Sequence, residues 1–114
     1  MEIRIVRETI PFAELSPLAA AWYGDMIKGV VDIEQWILAL GGEYHMDANN
    51  CLIENGSKQN AIWGFNIHIH KPREKWLEFT SLINIRPAQG NRTMLVEDTM
   101  LQGRMRAIIN KKIQ

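Results

Sequence analysis

The chain has 114 residues, and its 13 Lys and Arg balance 13 Asp and Glu, so the formal net charge is zero. This length fits one domain, residues 1–114, with a core large enough to need neither disulfide nor metal support. A zero net charge excludes a global electrostatic field that draws the protein to nucleic acid or to an anionic membrane, although it leaves room for a local basic patch.

Cysteine usage and hydropathy indicate a cytoplasmic protein with no membrane partner. Cys51 is the sole cysteine, which excludes an intrachain disulfide and a CxxC zinc or redox motif. The first seven residues alternate between charged and apolar side chains and lack the apolar stretch of a signal peptide. No segment approaches the roughly 20 apolar residues that span a bilayer.

The first half of the chain reads as a strand, a helix and a hairpin. Residues 2–7 alternate as a strand does, and residues 11–24 carry the alanines and apolar spacing of a helix that Gly24 ends. Residues 29–34 and 36–41 are predicted to pair as a hairpin across a turn at Glu34-Gln35.

The second half begins with a short helix over residues 46–54, which Asp47 is predicted to cap. Residues 61–70 then form the clearest strand, because alternation places one apolar set on one face: Trp63, Phe65, Ile67 and Ile69. The opposite, less apolar face carries Gly64, Asn66, His68 and His70.

Residues 76–86 are predicted to return as an antiparallel strand. Its inward side chains would be Leu77, Phe79, Ile83 and Ile85, and its outward ones Glu78, Thr80, Asn84 and Arg86. Asp98 can cap a last helix that runs to about Lys112. The elements together predict a two-layer α+β fold, with a mostly antiparallel sheet of about five strands covered on one face by about three helices.

The polar loop from Arg86 to Arg92 is the first candidate site. Two arginines flank a turn that also holds Gln89, Gly90 and Asn91, and guanidinium groups are planar, bidentate donors to phosphate or carboxylate. From residue 86 to residue 112 there are six Arg and Lys against two Asp and Glu, so this end is locally basic. The alternative is a plain solvated turn whose arginines pair with nearby carboxylates.

The second candidate site is a divalent metal centre made by His68, His70 and Glu78. The two histidines share a strand face, and a tight turn would bring Glu78 of the next strand beside His68. Two histidines and one carboxylate are a recognised ligand set for a metal such as iron(II), and His45 could add a ligand. The alternative is a solvated sheet face with one histidine–glutamate pair, and no cofactor is required by the sequence.

Several short segments stand out as a set: Trp22 to Met26, Val30 to Glu34, Gly41 to Glu43 with His45, Glu54 to Ser57, Trp63-Gly64, and Ser81 to Arg92. They resemble a small prokaryotic family of about this length that is catalogued only as a domain of unknown function. The likeness runs nearly end to end, and residues 83–92 are its most specific part. It implies a prokaryotic, single-domain protein, and it implies no activity, substrate or site residue.

Three functions are open to this sequence. The first is a non-enzymatic binding module that recognises an anionic small molecule, RNA or an acidic protein segment through the Arg86–Arg92 loop. The second is a small metal-dependent enzyme that uses His68, His70 and Glu78. The third is a protein–protein interaction domain such as a homodimer, which the edge strands of an open sheet permit.

Overall fold

The computed structural model describes residues 3–114, so the first residue of the predicted strand 2–7 lies outside the described part of the chain. The five strands are β1 Ile3–Val6, β2 Met26–Asp32, β3 Ile37–Gly41, β4 Ile62–His68 and β5 Leu77–Glu78. The three α-helices are α1 Leu15–Ala20, α2 His45–Glu54 and α3 Thr99–Lys112. None of the helices in residues 3–114 has the length and apolar content needed to cross a membrane.

The five strands form one antiparallel sheet in the order β1-β3-β2-β4-β5. The β2–β3 hairpin is confirmed, and its register places Val31 opposite Leu38. On its other side, β2 pairs with the whole of β4, where Val31 lies opposite Trp63. The predicted α+β class, with five strands and three helices packed against the sheet, is therefore confirmed.

The helices are divided between the two faces of the sheet rather than gathered on one. Helices α1 and α3 pack on the face that carries Val31, Leu38 and Phe65. Helix α2 packs Ala48 and Leu52 on the other face, in a cluster completed by Val30, Ile37, Ala39 and Ile62. The reason is that β2 and β3 carry apolar residues at consecutive positions, so both faces of the sheet centre are apolar and both need cover.

Helix α1 spans Leu15–Ala20 and is shorter than the predicted helix 11–24, because Phe12–Glu14 forms a 3-10 turn and the chain turns after Ala20. The caps of α2 and α3 follow the predicted signals with one shift. The Asp98 carboxylate accepts the backbone N–H groups of Met100 and Leu101, which confirms the predicted cap of α3. Asp47 lies at the third helical position of α2, where its carboxylate accepts the N–H of Tyr44 at 3.0 Å. The cap residue of α2 is therefore Tyr44 and not Asp47.

The predicted strand 76–86 is wrong beyond its first residues, since β5 spans Leu77–Glu78 alone. Asn84 was expected to point outward and is fully buried, whereas Ile85 was expected to point inward and is 42% exposed. The Ser81 hydroxyl accepts the N–H of Ile83 at 3.2 Å and begins a 3-10 turn over Leu82–Asn84. The turn interrupts the two-residue alternation, so the side chains that follow it point to the opposite face from the one predicted.

A glycine in α3 offers a test of the helix assignment. Gly103 is exposed in the middle of α3, and a Cβ atom at this position would meet no atom within 4 Å. Alanine loses less backbone entropy than glycine in a helix, so we expect Gly103→Ala to raise the free energy of unfolding by about 0.5–1 kcal/mol. Urea denaturation measures the change, and a destabilised variant would contradict an exposed helical position.

Candidate functional site

The Arg86 side chain makes hydrogen bonds to backbone carbonyls of neighbouring segments. Its Nε atom donates to the carbonyl of Ile83 and one terminal nitrogen donates to that of Gln59, both at 2.9 Å, while the other donates to the carbonyl of Ile62. The guanidinium carbon lies 4.1 Å from the ring centroid of Trp63, in cation–π contact. Burial lowers the pKa of the Arg86 guanidinium. Arg86 therefore connects the loop to the start of β4 through hydrogen bonds.

The other loop residues divide between structural roles and exposure. Gln89 donates to the carbonyl of Asn60 at 3.0 Å, and Gly90 has a φ of 84° that suits glycine. Asn91 is buried, and its amide nitrogen donates to the carbonyls of Asn84, Thr93 and Leu95. Arg92 is exposed, and its side chain makes no hydrogen bond within residues 3–114. Of the two loop arginines, Arg92 alone is exposed without a hydrogen-bond partner among residues 3–114.

The predicted metal ligands are only partly brought together. His68 Nε2 lies 3.3 Å from Glu78 Oε1, as predicted, and Asn66 donates to the same oxygen at 2.8 Å. That hydrogen bond from Asn66 is the main reason why the pKa of Glu78 is lowered. His70 follows β4 in a turn and lines a cavity with Phe12 and Leu15, to which neither His68 nor Glu78 contributes. Across residues 3–114, no group of three His, Cys, Asp or Glu side chains is placed to hold a metal ion.

A cavity of about 540 Å³ lies on the α2 face of the sheet, between the start of α2 and the segment 80–83. Its apolar walls come from Met26, Met46, Leu82, Ile83 and Met94. Three of these side chains are at least 41% exposed, namely Met46, Leu82 and Met94. Large apolar side chains at an open cavity are typical of a binding site rather than of a core.

His45 lies at the first position of α2 and also lines this cavity. Its Nε2 atom is 2.9 Å from the carbonyl oxygen of Phe65, and a carbonyl can only accept, so Nε2 carries the proton. Burial is the main cause that lowers the pKa of the His45 imidazole, and the charge of Lys28 lowers it further. Hydrogen bonding of a protonated ring to the Phe65 carbonyl and to the Asn66 side chain, together with the charge of Glu78, raises the pKa and only partly offsets this. The net lowering favours a neutral ring with an acceptor at Nδ1.

Asn66 of β4 is a second buried polar group on the cavity wall. Its amide nitrogen donates to Glu78 Oε1 at 2.8 Å and to the carbonyl of Thr80 at 3.2 Å. Its amide oxygen is buried and has no donor partner among the described residues. A buried acceptor of this kind needs a donor, which a water molecule or a ligand can supply.

Lys28 of β2 lies directly opposite Asn66 in the β2–β4 register and supplies the positive charge of the cavity wall. Its ammonium group lies 5.1 Å from the ring centroid of Tyr23 and 5.7 Å from that of Tyr44. No carboxylate of residues 3–114 lies within 4 Å of it. The cation is therefore held by two aromatic rings and remains available to an anion.

The sequence signals for this site were individually weak. The sequence indicates His45 as an additional metal ligand and as part of the family resemblance, shows Asn66 as one polar residue on a strand face, and carries no signal for Lys28. The three come from α2, β4 and β2, and no motif spacing links them. Only the β2–β4 pairing and the position of α2 across the sheet bring them to one cavity.

Comparisons with known proteins place the chain in a family. A comparison with curated proteins and another with solved structures found no match. A family model described as "Protein of unknown function (DUF5674)" matches residues 4–112, nearly the whole chain. The resemblance described from the sequence is thereby confirmed, and the chain belongs to this family of unknown function.

Proposed function

We propose that this protein is a non-enzymatic binding module, and that its ligand is a small amphipathic anion held in the α2-face cavity. The observation that carries the proposal is the combination of apolar walls with the Lys28 ammonium, which no carboxylate of residues 3–114 approaches within 4 Å, in one cavity of about 540 Å³. Ligand pockets of about 300–1,000 Å³ with apolar walls and a few convergent polar groups are the usual binding sites of folded domains.

The walls suit an apolar ligand body of variable shape. Met26, Met46 and Met94 contribute flexible, polarisable side chains, which adapt to the outline of a bound molecule and favour contact with aromatic rings. Leu82 is 72% exposed and stands over the cavity from the 3-10 turn. A ligand that covers it removes apolar surface from water, which is favourable at about 25 cal/mol per Å².

The charge distribution supports an anionic ligand at the cavity rather than at the loop. Lys28 is the one Lys or Arg among the residues that line this cavity. All three nitrogens of the Arg86 guanidinium donate to backbone carbonyls, and one of them also donates to Gln89 Oε1, so an anion that binds Arg86 would compete with these bonds. A single cation in an apolar cavity fits a small anion better than RNA, which needs a series of phosphate contacts.

A second candidate function is a protein-binding domain, a homodimer included. Exposed apolar side chains follow one another along the segment that borders the cavity: Leu82, Ile85, Met94, Leu95 and Met100. Thr80 pairs with Leu95, and the Ser81 N–H donates to the carbonyl of Met94, so the chain around Leu82 lies beside the chain around Met94 and Leu95. An apolar surface of this kind favours association with a partner chain.

We place this function in a prokaryotic cytoplasm. The support is the sole cysteine, Cys51, which has no partner for a disulfide in the chain and therefore suits a reducing compartment. The prokaryotic setting is the one implied by the family resemblance.

Binding of 2-anilinonaphthalene-6-sulfonate tests the proposed function, because this probe joins an apolar body to an anion. We expect saturable binding at one site per chain in a fluorescence titration at low salt. Lys28→Met retains the apolar stem and removes the charge, and we expect it to weaken binding roughly tenfold. Leu82→Asp places a negative charge on the exposed rim, and we expect it to abolish binding with little loss of stability.

The matched control is Lys75→Met, since Lys75 is exposed in the turn before β5 and does not line the cavity. We expect it to bind the probe as the unchanged protein does. Equal weakening by Lys28→Met and Lys75→Met would place the probe elsewhere and overturn the proposal. Weak binding that does not saturate would instead favour the open protein-binding surface.

A further inference from the structure

We propose that the ligand carries an N–H or O–H donor on its apolar body, and that His45 Nδ1 and Asn66 Oδ1 receive it. This inference rests on the proposed function and names the class of ligand within it. The class is an amphipathic anion with an amine or amide group, such as an arylamine or an acylated amine. The two acceptors discriminate such molecules from ethers and esters of the same shape.

The orientation of the Asn66 amide is determined by its surroundings. The Glu78 carboxylate and the Thr80 carbonyl both lie on the nitrogen side and can only accept. A flipped amide would turn its oxygen toward both of these acceptors and lose two hydrogen bonds. The oxygen therefore lies on the other side, where no described residue donates to it.

The tautomer of His45 is determined in the same way. The Phe65 carbonyl requires a proton on Nε2, so the neutral ring leaves Nδ1 with a lone pair. Within residues 3–114 no donor is placed to hydrogen-bond Nδ1, and the Asn66 side chain interacts with the ring as an acceptor that favours the protonated form. His45 and Asn66 both line the cavity, and each offers an acceptor without a donor.

This pattern selects the chemistry of the ligand. A buried acceptor without a partner destabilises its surroundings, and a ligand donor that reaches it relieves this cost on binding. A carboxylate or ether oxygen at the same position would face two acceptors and be repelled. The ligand anion therefore lies toward Lys28, and its donor group lies toward His45 and Asn66.

The test compares two probes of nearly equal shape by isothermal titration calorimetry. One is 2-anilinonaphthalene-6-sulfonate, whose linking group is N–H, and the other is 2-phenoxynaphthalene-6-sulfonate, whose linking group is an ether oxygen. We expect the unchanged protein to bind the N–H probe at least about tenfold more tightly, as one hydrogen bond to a buried acceptor provides.

The variant His45→Phe separates this preference from general binding. Phenylalanine keeps an aromatic ring in the cavity wall and removes both ring nitrogens, so the Nδ1 acceptor is lost together with the hydrogen bond to the Phe65 carbonyl. We expect both probes to bind, with the preference reduced to threefold or less, and urea denaturation checks that the variant is folded. Equal affinity of the two probes for the unchanged protein would overturn this inference and leave the proposed function intact. Failure of both probes to bind would overturn the proposed function itself.

Discussion

Replacing Asn84 with alanine is expected to lower the free energy of unfolding by about 3–5 kcal/mol. Asn84 is fully buried, and its amide faces the backbone of Gly64 in β4 as a paired strand would. The Asn84 oxygen accepts the Gly64 N–H at 2.8 Å, and its nitrogen donates to the Gly64 carbonyl at 3.0 Å and to the Met94 carbonyl at 3.2 Å. Alanine leaves three buried backbone groups without partners, at about 1–3 kcal/mol each before relaxation.

Urea denaturation of the variant measures this loss, and an unchanged m-value confirms that the unfolding transition is the same. The matched control is Asn60→Ala, because Asn60 is exposed and its side chain makes no hydrogen bond in the described part of the chain. We expect the control to change stability by less than about 0.5 kcal/mol. A loss below about 1 kcal/mol for Asn84→Ala would show that water replaces its hydrogen bonds.

Elements with an uninterrupted period were predictable from the sequence. Strand β4 alternates from Ile62 to His68, and its apolar side chains Trp63, Phe65 and Ile67 do lie in one core. Helix α3 has both a capping aspartate and an apolar stripe, and Met105 and Ile108 are buried as that stripe predicts. In each case one local signal and the tertiary packing agree.

The strand predicted over residues 76–86 failed because side chains replaced the backbone ladder. Alternation continues in the sequence through Ile83 and Ile85, but Ser81 starts a 3-10 turn and Asn84 pairs with β4 through its side chain. A side-chain amide has the same donor and acceptor as a peptide group, so it can satisfy a strand edge without strand geometry. Sequence periodicity alone does not distinguish a paired strand from a turn whose side-chain amide bonds to the edge of the strand.

The candidate site was less predictable than the fold. The sequence predicts the arginines of the 86–92 loop as ligand-binding residues, yet Arg86 donates to Ile62 at the start of β4 and Asn91 donates to Asn84 and Leu95. The polar groups of the cavity are supplied by three separate elements, and their convergence depends on strand order. The residue type shows whether a side chain can donate or accept a hydrogen bond. Only the fold shows whether another group of the protein already occupies that donor or acceptor.

We expect Arg86→Ala to lower the free energy of unfolding by about 2–4 kcal/mol, because the Arg86 side chain stabilises the fold through its hydrogen bonds. The truncation leaves the carbonyls of Ile83, Gln59 and Ile62 without the guanidinium donors. It also uncovers Trp63, over whose ring the guanidinium lies. Thermal and urea unfolding measure the loss.

Two further variants separate the shape of the Arg86 side chain from its charge. Arg86→Lys keeps the charge but lacks the planar fork, and because one ammonium group cannot reach three divergent carbonyls we expect it to recover less than half of the lost stability. Arg92→Ala removes the exposed arginine of the same loop and is expected to change stability by less than about 0.5 kcal/mol. If Arg86→Ala were as stable as Arg92→Ala, the hydrogen bonds of Arg86 would be dispensable and its guanidinium would be free to bind an anion. A large loss confined to Arg86 would instead show that the Arg86 guanidinium stabilises the fold through these hydrogen bonds.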